Sequence, residues 1–198
     1  GMEVWITEYN LLEKEGVLAG TWAHGLYALM QSMLFMESNR TSRICYHNLS
    51  TTAQFGAIFN NERGFEKSVR QKPTDLFGYS AAGRTLQLFG QAMDGAASSV
   101  PLKIQGVKMQ KSFRGLEYPS VYGILTTGKQ RQILIMNMSA RAETIDLSAI
   151  ASGNVTWTQI TSGIKNQVAV DSDVRKTEGK GSLVKMEAYS VTLVRVAD

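Results

Sequence analysis

Val4-Trp5-Ile6-Thr7-Glu8-Tyr9-Asn10 is the stretch on which the reading of the fold turns. Its first four residues are β-branched or aromatic and read as a short buried strand, and the run ends in a carboxylate, a phenol and an amide. Outward from it, the stretch from Gly16 to Met36 contains no Asp, Glu, Lys or Arg. Within that stretch Trp22, Leu26, Leu29, Met30 and Met33 share one side of a helical wheel, opposite a small and polar stripe of His24, Gly25, Ala28, Gln31 and Ser32. This spacing predicts an amphipathic helix from about Thr21 to Glu37, with Thr21 as its cap. Arg43-Ile44-Cys45-Tyr46-His47 reads as a second short strand, in which Cys45 is expected to be a buried and inert thiol. The segment from Ala57 to Phe65 fits a small hairpin that turns in its Asn/Glu/Gly cluster. Pro73-Thr74-Asp75 then opens a second helix through Leu76, Phe77, Ala82, Leu86, Phe89 and Met93, and Gly95 is placed to stop it. Strand, helix, strand, helix is the order of parallel α/β units.

After Ala96-Ala97-Ser98-Ser99 the apolar period changes from helical to two. Val121–Thr127, Gln132–Met138, Glu143–Leu147, Val155–Ile160 and Leu183–Val196 read as strands, with Gly128-Lys129 as a tight hairpin signal between the first two. Short strands separated by polar turns predict an antiparallel β-sandwich. The chain is therefore read as α+β, divided into residues 1–98 and residues 99–198.

The composition bounds the chemistry. The chain has 198 residues, 43% of them hydrophobic and 19% charged, which suits a globular protein with a sizeable core. A single cysteine excludes an intramolecular disulfide and a cysteine-rich zinc site, and two histidines are too few to expect an all-histidine metal cluster; with no glycine-rich phosphate loop either, neither metal nor organic cofactor is suggested. Residues 1–98 carry eight Lys/Arg against nine Asp/Glu, and residues 99–198 carry thirteen against eight. The second-half cations are scattered singly among strands, with Arg175-Lys176 the only adjacent pair, which reads as a solvated surface and not a nucleic-acid footprint. Gly, His and Gln interrupt the uncharged stretch from Gly16 to Met36, which argues against a membrane span. Gly1-Met2-Glu3-Val4-Trp5 lacks a basic region followed by an apolar run, the pattern of a signal peptide. Four Asn-X-Ser/Thr sequons, at Asn39, Asn48, Asn137 and Asn154, are a weak hint of a secreted or periplasmic parent.

Glu8 is the first candidate for chemistry. A carboxylate just after an apolar strand stands at the strand's carboxyl end, where α/β barrels keep their catalytic groups. Thr7, Tyr9 and Asn10 beside it can donate hydrogen bonds that keep it ionised and oriented, as a nucleophile or base requires. His47, at the end of the second strand, would share the same rim if the two strands are parallel neighbours. His24 reads as a packing or helix-surface residue. Trp157, Tyr118, Tyr122 and Tyr189 are candidates for a sugar-stacking platform, although aromatics in strands usually serve the core.

Val4 to Asn10 resembles the seventh barrel strand of retaining glycoside hydrolases of the α-L-arabinofuranosidase and β-xylosidase type. Gly20-Thr21-Trp22-Ala23 with the helix after it resembles the seventh barrel helix, and Ile44-Cys45-Tyr46-His47-Asn48-Leu49 resembles the eighth strand. Pro73 to Met93 is similar to the last barrel helix, and Met186 to Leu193 to the closing strand of the sandwich that follows the barrel. The resemblance implies a fragment of an α/β (TIM-type) barrel followed by the β-sandwich. It further implies Glu8 as the nucleophile, Tyr9, Asn10 and His47 as substrate-binding residues, and a carbohydrate substrate for the intact enzyme. A complete barrel needs roughly 250 residues, whereas two of its eight strand–helix units are recognisable here. The general acid/base of this family, a Glu after Asn on the fourth strand, has no match at the expected place, and Asn61-Glu62 follows the nucleophile instead of preceding it. The alternative function is a non-catalytic carbohydrate-binding or interaction module. Because barrel strands have interior edges, residues 1–60 are expected either to pair two copies of the chain or to repack on the sandwich.

Overall fold

The computed structural model describes residues 3–11, 18–38, 40–51, 56–60, 77–111, 115–151, 154–168 and 171–197. The chain is α+β, and its described residues form two helices and fifteen mostly short strands. They group into two compact units: Gly1–Gln91 with Ser162–Arg175, and Ala92–Thr161 with Lys176–Asp198. Residues 162–175, beyond the expected boundary at residue 98, thus belong with the first unit.

In the first unit β1 (Val4–Tyr9) is followed by α1 (Trp22–Phe35) and β2 (Thr41–Tyr46), and β1 and β2 pair in parallel. The Thr21 side chain accepts from the His24 N–H, so the cap stands where the sequence predicts it. Two further N–H groups of the first turn find partners far away in sequence. Trp22 N–H donates to the Asn166 carbonyl at 2.8 Å and Ala23 N–H to the Ile164 carbonyl at 3.0 Å. Helix starts leave such donors unpaired within the helix itself, and this long-range cap is what ties residues 162–168 to the first unit. No local pattern announces it.

The helix departs from the two-faced reading. Trp22, Leu26, Leu29 and Met33 are buried, and so are His24, Gly25, Ala28 and Ser32 of the supposed polar stripe. The stripe is buried because its polar atoms are paired: the Ser32 hydroxyl donates to the Ala28 carbonyl, and Gly25 lets another backbone come close. A Cβ on Gly25 would sit 2.6 Å from the Ala81 carbonyl oxygen. Among the described residues, no helix is long and apolar enough to cross a membrane.

β3 (Ser50–Thr51) runs parallel to β4 (Ile58–Asn60), and β5 (Phe77–Tyr79) pairs antiparallel with β4. α2 (Ala81–Met93) follows. The second helix was expected from Pro73, yet Phe77–Tyr79 is strand and the helix begins only after Ser80. The Ser80 hydroxyl accepts from the Gly83 N–H at 3.2 Å, the Asx/Ser type of cap that fixes a helix start. Residues 73–76, like Asn61-Glu62 and Asn39, lie outside the described residues. Gly95, with φ of +66°, ends the helix as predicted.

The second unit holds β6 (Ala96–Pro101), β7 (Met109–Lys111), β8 (Glu117–Pro119), β9 (Val121–Gly128), β10 (Arg131–Asn137), β11 (Glu143–Asp146), β12 (Asn154–Thr161), β13 (Arg175–Lys180), β14 (Leu183–Met186) and β15 (Ser190–Ala197). Six of these form one sheet in the order β13-β12-β15-β10-β9-β6, while β11-β14 and β7-β8 are two-stranded pairs. β9 and β10 are the antiparallel hairpin expected at Gly128-Lys129. Leu183–Val196 is two strands and not one, broken at Tyr189, whose φ of 52° turns the chain. Ile133, Ile135, Val155, Val194 and Val196 of the large sheet share one apolar core with Val184 and Met186 of β14. Each fully buried aliphatic side chain of that size contributes about 1.5–3 kcal/mol.

Candidate functional site

The ends of β1 and β2 bring Glu8 and His47 to one place. Parallel pairing with Tyr9 opposite Tyr46 puts the carboxyl ends of both strands on the same side. His47 Nδ1 lies 3.9 Å from Glu8 Oε1, and both side chains are exposed. An exposed pair at that distance contributes at most about 1 kcal/mol, so what matters here is placement and not stability.

A bulge decides which residue faces out. Ile6 lies opposite Ile44 and Tyr9 opposite Tyr46, so β1 spends three steps where β2 spends two. The extra residue falls in Thr7-Glu8 and re-phases the alternation of side chains. Tyr9, and not Glu8, therefore turns inward, where it is 7% exposed. Its hydroxyl pairs with Ser32 Oγ at 2.5 Å, and its ring meets Phe35 and Tyr46 edge-on. Burial raises the Tyr9 phenol above its ordinary value; the Ser32 bond opposes this and Cys45 adds to it. The structure thus makes Tyr9 a packing residue behind the rim.

Asn10 is half-buried and joins both strand ends. Its side-chain N–H group donates to the His47 carbonyl, and its Oδ1 meets His24 Nε2 at 2.8 Å. The same oxygen accepts from the Leu11 N–H at 2.6 Å. Tyr46 Oη lies 3.4 Å from His24 Nε2. Burial pushes the Tyr46 phenol well above the usual range, with Asn10 opposing and Tyr9 adding to the shift. His24 itself is fully buried. Of the packing and helix-surface places that the sequence admits for it, His24 takes the packing one, on a side crowded enough that its i−4 and i+4 neighbours are Gly20 and Ala28.

Two expectations are corrected at these strands. Cys45 is exposed, and Val4 and Trp5 are 40% and 56% exposed. Among the described residues β1 and β2 pair only with each other, so α1 covers one side and the outward side chains meet solvent. The aromatic platform is not assembled at Trp157 either: its ring packs against the second unit's core and over Gly179, where an added Cβ would overlap it. Tyr118 donates to Gln110 Oε1 at 3.1 Å, and Tyr189 occupies the turn before β15. No group of three or more His, Cys, Asp or Glu among the described residues could hold a metal ion.

No family model matches the sequence, and no curated protein matches it. Solved structures do match the fold over nearly the whole chain. A GH51 α-L-arabinofuranosidase from Xanthomonas axonopodis pv. citri superposes with a TM-score of 0.66 at 15% identity, covering 98% of this chain and 41% of its own. A thermostable GH51 α-L-arabinofuranosidase from Thermotoga petrophila gives 0.65 at 12% identity, covering 98% and 43%. The catalytic domain of GH30 xylanase C from Talaromyces cellulolyticus gives 0.58 at 15% identity, covering 99% and 41%. The chain therefore spans about two-fifths of the length of these structures. The resemblance read from short motifs in the sequence is a likeness of fold to glycoside hydrolases of the GH51 and GH30 type.

Proposed function

We propose that the chain is the carboxyl-terminal portion of a retaining glycoside hydrolase acting on arabinofuranoside or xyloside bonds of plant-type polysaccharides. In this reading residues 1–98 are the last strand–helix units of an α/β barrel and residues 99–198 its β-sandwich. The observation that carries it is the pairing of Glu8 and His47 at the carboxyl ends of two parallel strands, in a fold that glycoside hydrolases share. Glu8 attacks the anomeric carbon, the bond to the leaving oxygen breaks, and a glycosyl ester forms on the carboxylate. A second carboxylic acid protonates the departing oxygen and then, as a base, takes a proton from the water that cleaves the ester. One carboxyl group cannot perform both roles in the first step, since attack and protonation occur on opposite sides of the same bond. The acid/base accordingly belongs to the part of the enzyme that this chain does not span, and His47 and Asn10 line the sugar side of Glu8.

The test compares this chain with the product of the whole reading frame on nitrophenyl arabinofuranoside and xyloside. The chain alone should be silent. The longer protein should hydrolyse one of them, and Glu8→Gln should lower kcat by on the order of 10³-fold or more. Full activity of Glu8→Gln overturns the assignment. Hydrolysis by the isolated chain overturns the division of the two carboxyl roles, and sugar binding without hydrolysis by the longer protein would favour a carbohydrate-binding module.

A further inference from the structure

We propose that His24 is a positioning residue that sets the Glu8–His47 rim through Asn10, although its own ring is closed to solvent. The hydrogen bonds fix its state. Gly20 N–H donates to His24 Nδ1 at 3.2 Å, so Nδ1 is the acceptor and carries no proton. A neutral imidazole with an unprotonated Nδ1 bears its proton on Nε2. Nε2–H therefore donates to Asn10 Oδ1 at 2.8 Å. That donation orients the Asn10 amide: its oxygen is held by the ring, and its N–H group faces the His47 carbonyl. Turning the amide over would set N–H against N–H at His24 and oxygen against oxygen at His47, losing both bonds. A ring on α1 thus determines how the end of β1, two residues beyond Glu8, is tied to the end of β2 at His47. Protonating Nδ1 would put two donors face to face at Gly20, so the clamp holds with the ring uncharged.

The importance of this clamp for catalysis rests on reading Glu8 and His47 as the sugar-facing pair; the clamp itself does not. His24 and His47 are the chain's only two histidines, so imidazole nitrogen NMR on the intact chain separates them without ambiguity. At neutral pH one ring should be the Nε2–H tautomer with a hydrogen-bonded Nδ1, and its signals should vanish in His24→Gln. Asn10→Ala should shift the amide resonances of Glu8 and His47 and speed the loss of the His24 Nε2–H signal to water. Gln can still donate from the Nε2 position, so His24→Gln should leave the Glu8 and His47 amides near their wild-type places. His24→Leu should move them as Asn10→Ala does. A residue needed only for packing gives the reverse order, with Leu harmless to the rim and Gln disruptive. An Nδ1–H tautomer at His24, or rim resonances that stay put in Asn10→Ala, overturns the proposal. Should His24→Leu fail to fold, the tautomer and the half-buried Asn10 variant still decide. No sugar enters these measurements, so their failure leaves the glycosidase reading standing, and failure of hydrolysis leaves the clamp standing.

Discussion

The two units finish their sheets in different ways. In the second unit the six-stranded sheet ends on one side at β13, Arg-Lys-Thr-Glu-Gly-Lys, where Lys176 and Glu178 pair at 2.7 Å. Its other outer strand, β6, closes on Pro101, a residue with no N–H to offer a further strand. Charge and proline at a border keep other strands away. In the first unit β1 and β2 form a pair with Trp5 56% and Val4 40% exposed; the Arg43 guanidinium lies 4.7 Å from the Trp5 ring, and the Glu3 carboxylate accepts from Trp5 Nε1 at 3.4 Å. A lone two-stranded sheet is marginal in water. The lesson is that the second unit is built to stop where it stops, whereas the β1–β2 pair has the side chains of strands that expect company.

The largest consequence is in local stability. Central strands β10 and β15 are buried on both sides, with Leu134 and Leu193 as closed to solvent as Ile133 and Val194. Amides in residues 120–161 and 176–196 should exchange at least about tenfold more slowly than those in residues 1–60, because opening them exposes far more apolar surface. Residue-resolved hydrogen exchange gives the answer, and equal protection would erase the contrast. Side-chain truncation should follow it: Leu134→Ala should cost about 2–5 kcal/mol in chemical denaturation, whereas Trp5→Ala should change stability by less than about 0.5 kcal/mol. The effect of Trp5 should appear instead in association. The 198-residue chain at micromolar concentration should sediment as a two-fold dimer through residues 1–60, and Trp5→Glu should return it to a monomer. A wild-type chain that stays monomeric breaks this side of the comparison.

The same contrast explains what the sequence disclosed. β9, β10, β11 and β12 were legible because alternating or continuous apolar residues have to be buried somewhere. β6 and β13 were not, since Ala-Ala-Ser-Ser-Val-Pro and Arg-Lys-Thr-Glu-Gly-Lys carry the small and charged residues that make a good border and a poor strand signal. At the rim, Glu8 and His47 were readable from their places at strand ends. Asn10 could be singled out, but its partner His24 could not, because their contact spans an intervening segment and depends on how α1 lies against β1. The cap on α1 from Ile164 and Asn166 was hidden for the same reason. Local pattern reveals which residues want burial; it does not reveal which distant polar group will satisfy them.

Close packing in the first unit offers a sharper probe. Gly83 and Gly90 lie on α2, in equivalent helical backbone. A Cβ at Gly83 would run into the Ala57 carbonyl, a backbone atom that cannot swing aside, while a Cβ at Gly90 meets nothing within 4 Å. Gly83→Ala should destabilise by about 1–3 kcal/mol through forced backbone shifts. Gly90→Ala should stabilise by about 0.5–1 kcal/mol, since alanine loses less conformational freedom on entering a helix. Equal effects at the two sites would mean that α2 does not pack on Ala57 as described.

A further effect, confined to alkaline solution, separates the units by pH. Tyr46 sits behind the rim with its phenol raised, chiefly by burial, above the value of 10.0 it would have in an unfolded chain. Below pH 10 the phenol is protonated in both folded and unfolded chain, and its contribution to stability is fully present. Above pH 10 the unfolded chain releases the proton more readily than the folded one, so rising pH favours unfolding until the folded-state value is passed. For a group whose folded value lies well above 10, the loss amounts to about 1 kcal/mol by pH 11. Tyr9, raised in the same direction, adds to it. Exchange in β1, α1 and β2 should therefore accelerate between pH 10 and 11 more than the general base-catalysed increase, and Tyr46→Phe should remove most of that excess. Phe keeps the ring against Tyr9 but has no proton to lose, so an unchanged alkaline excess in Tyr46→Phe would show that this buried phenol is not what makes the first unit alkali-sensitive.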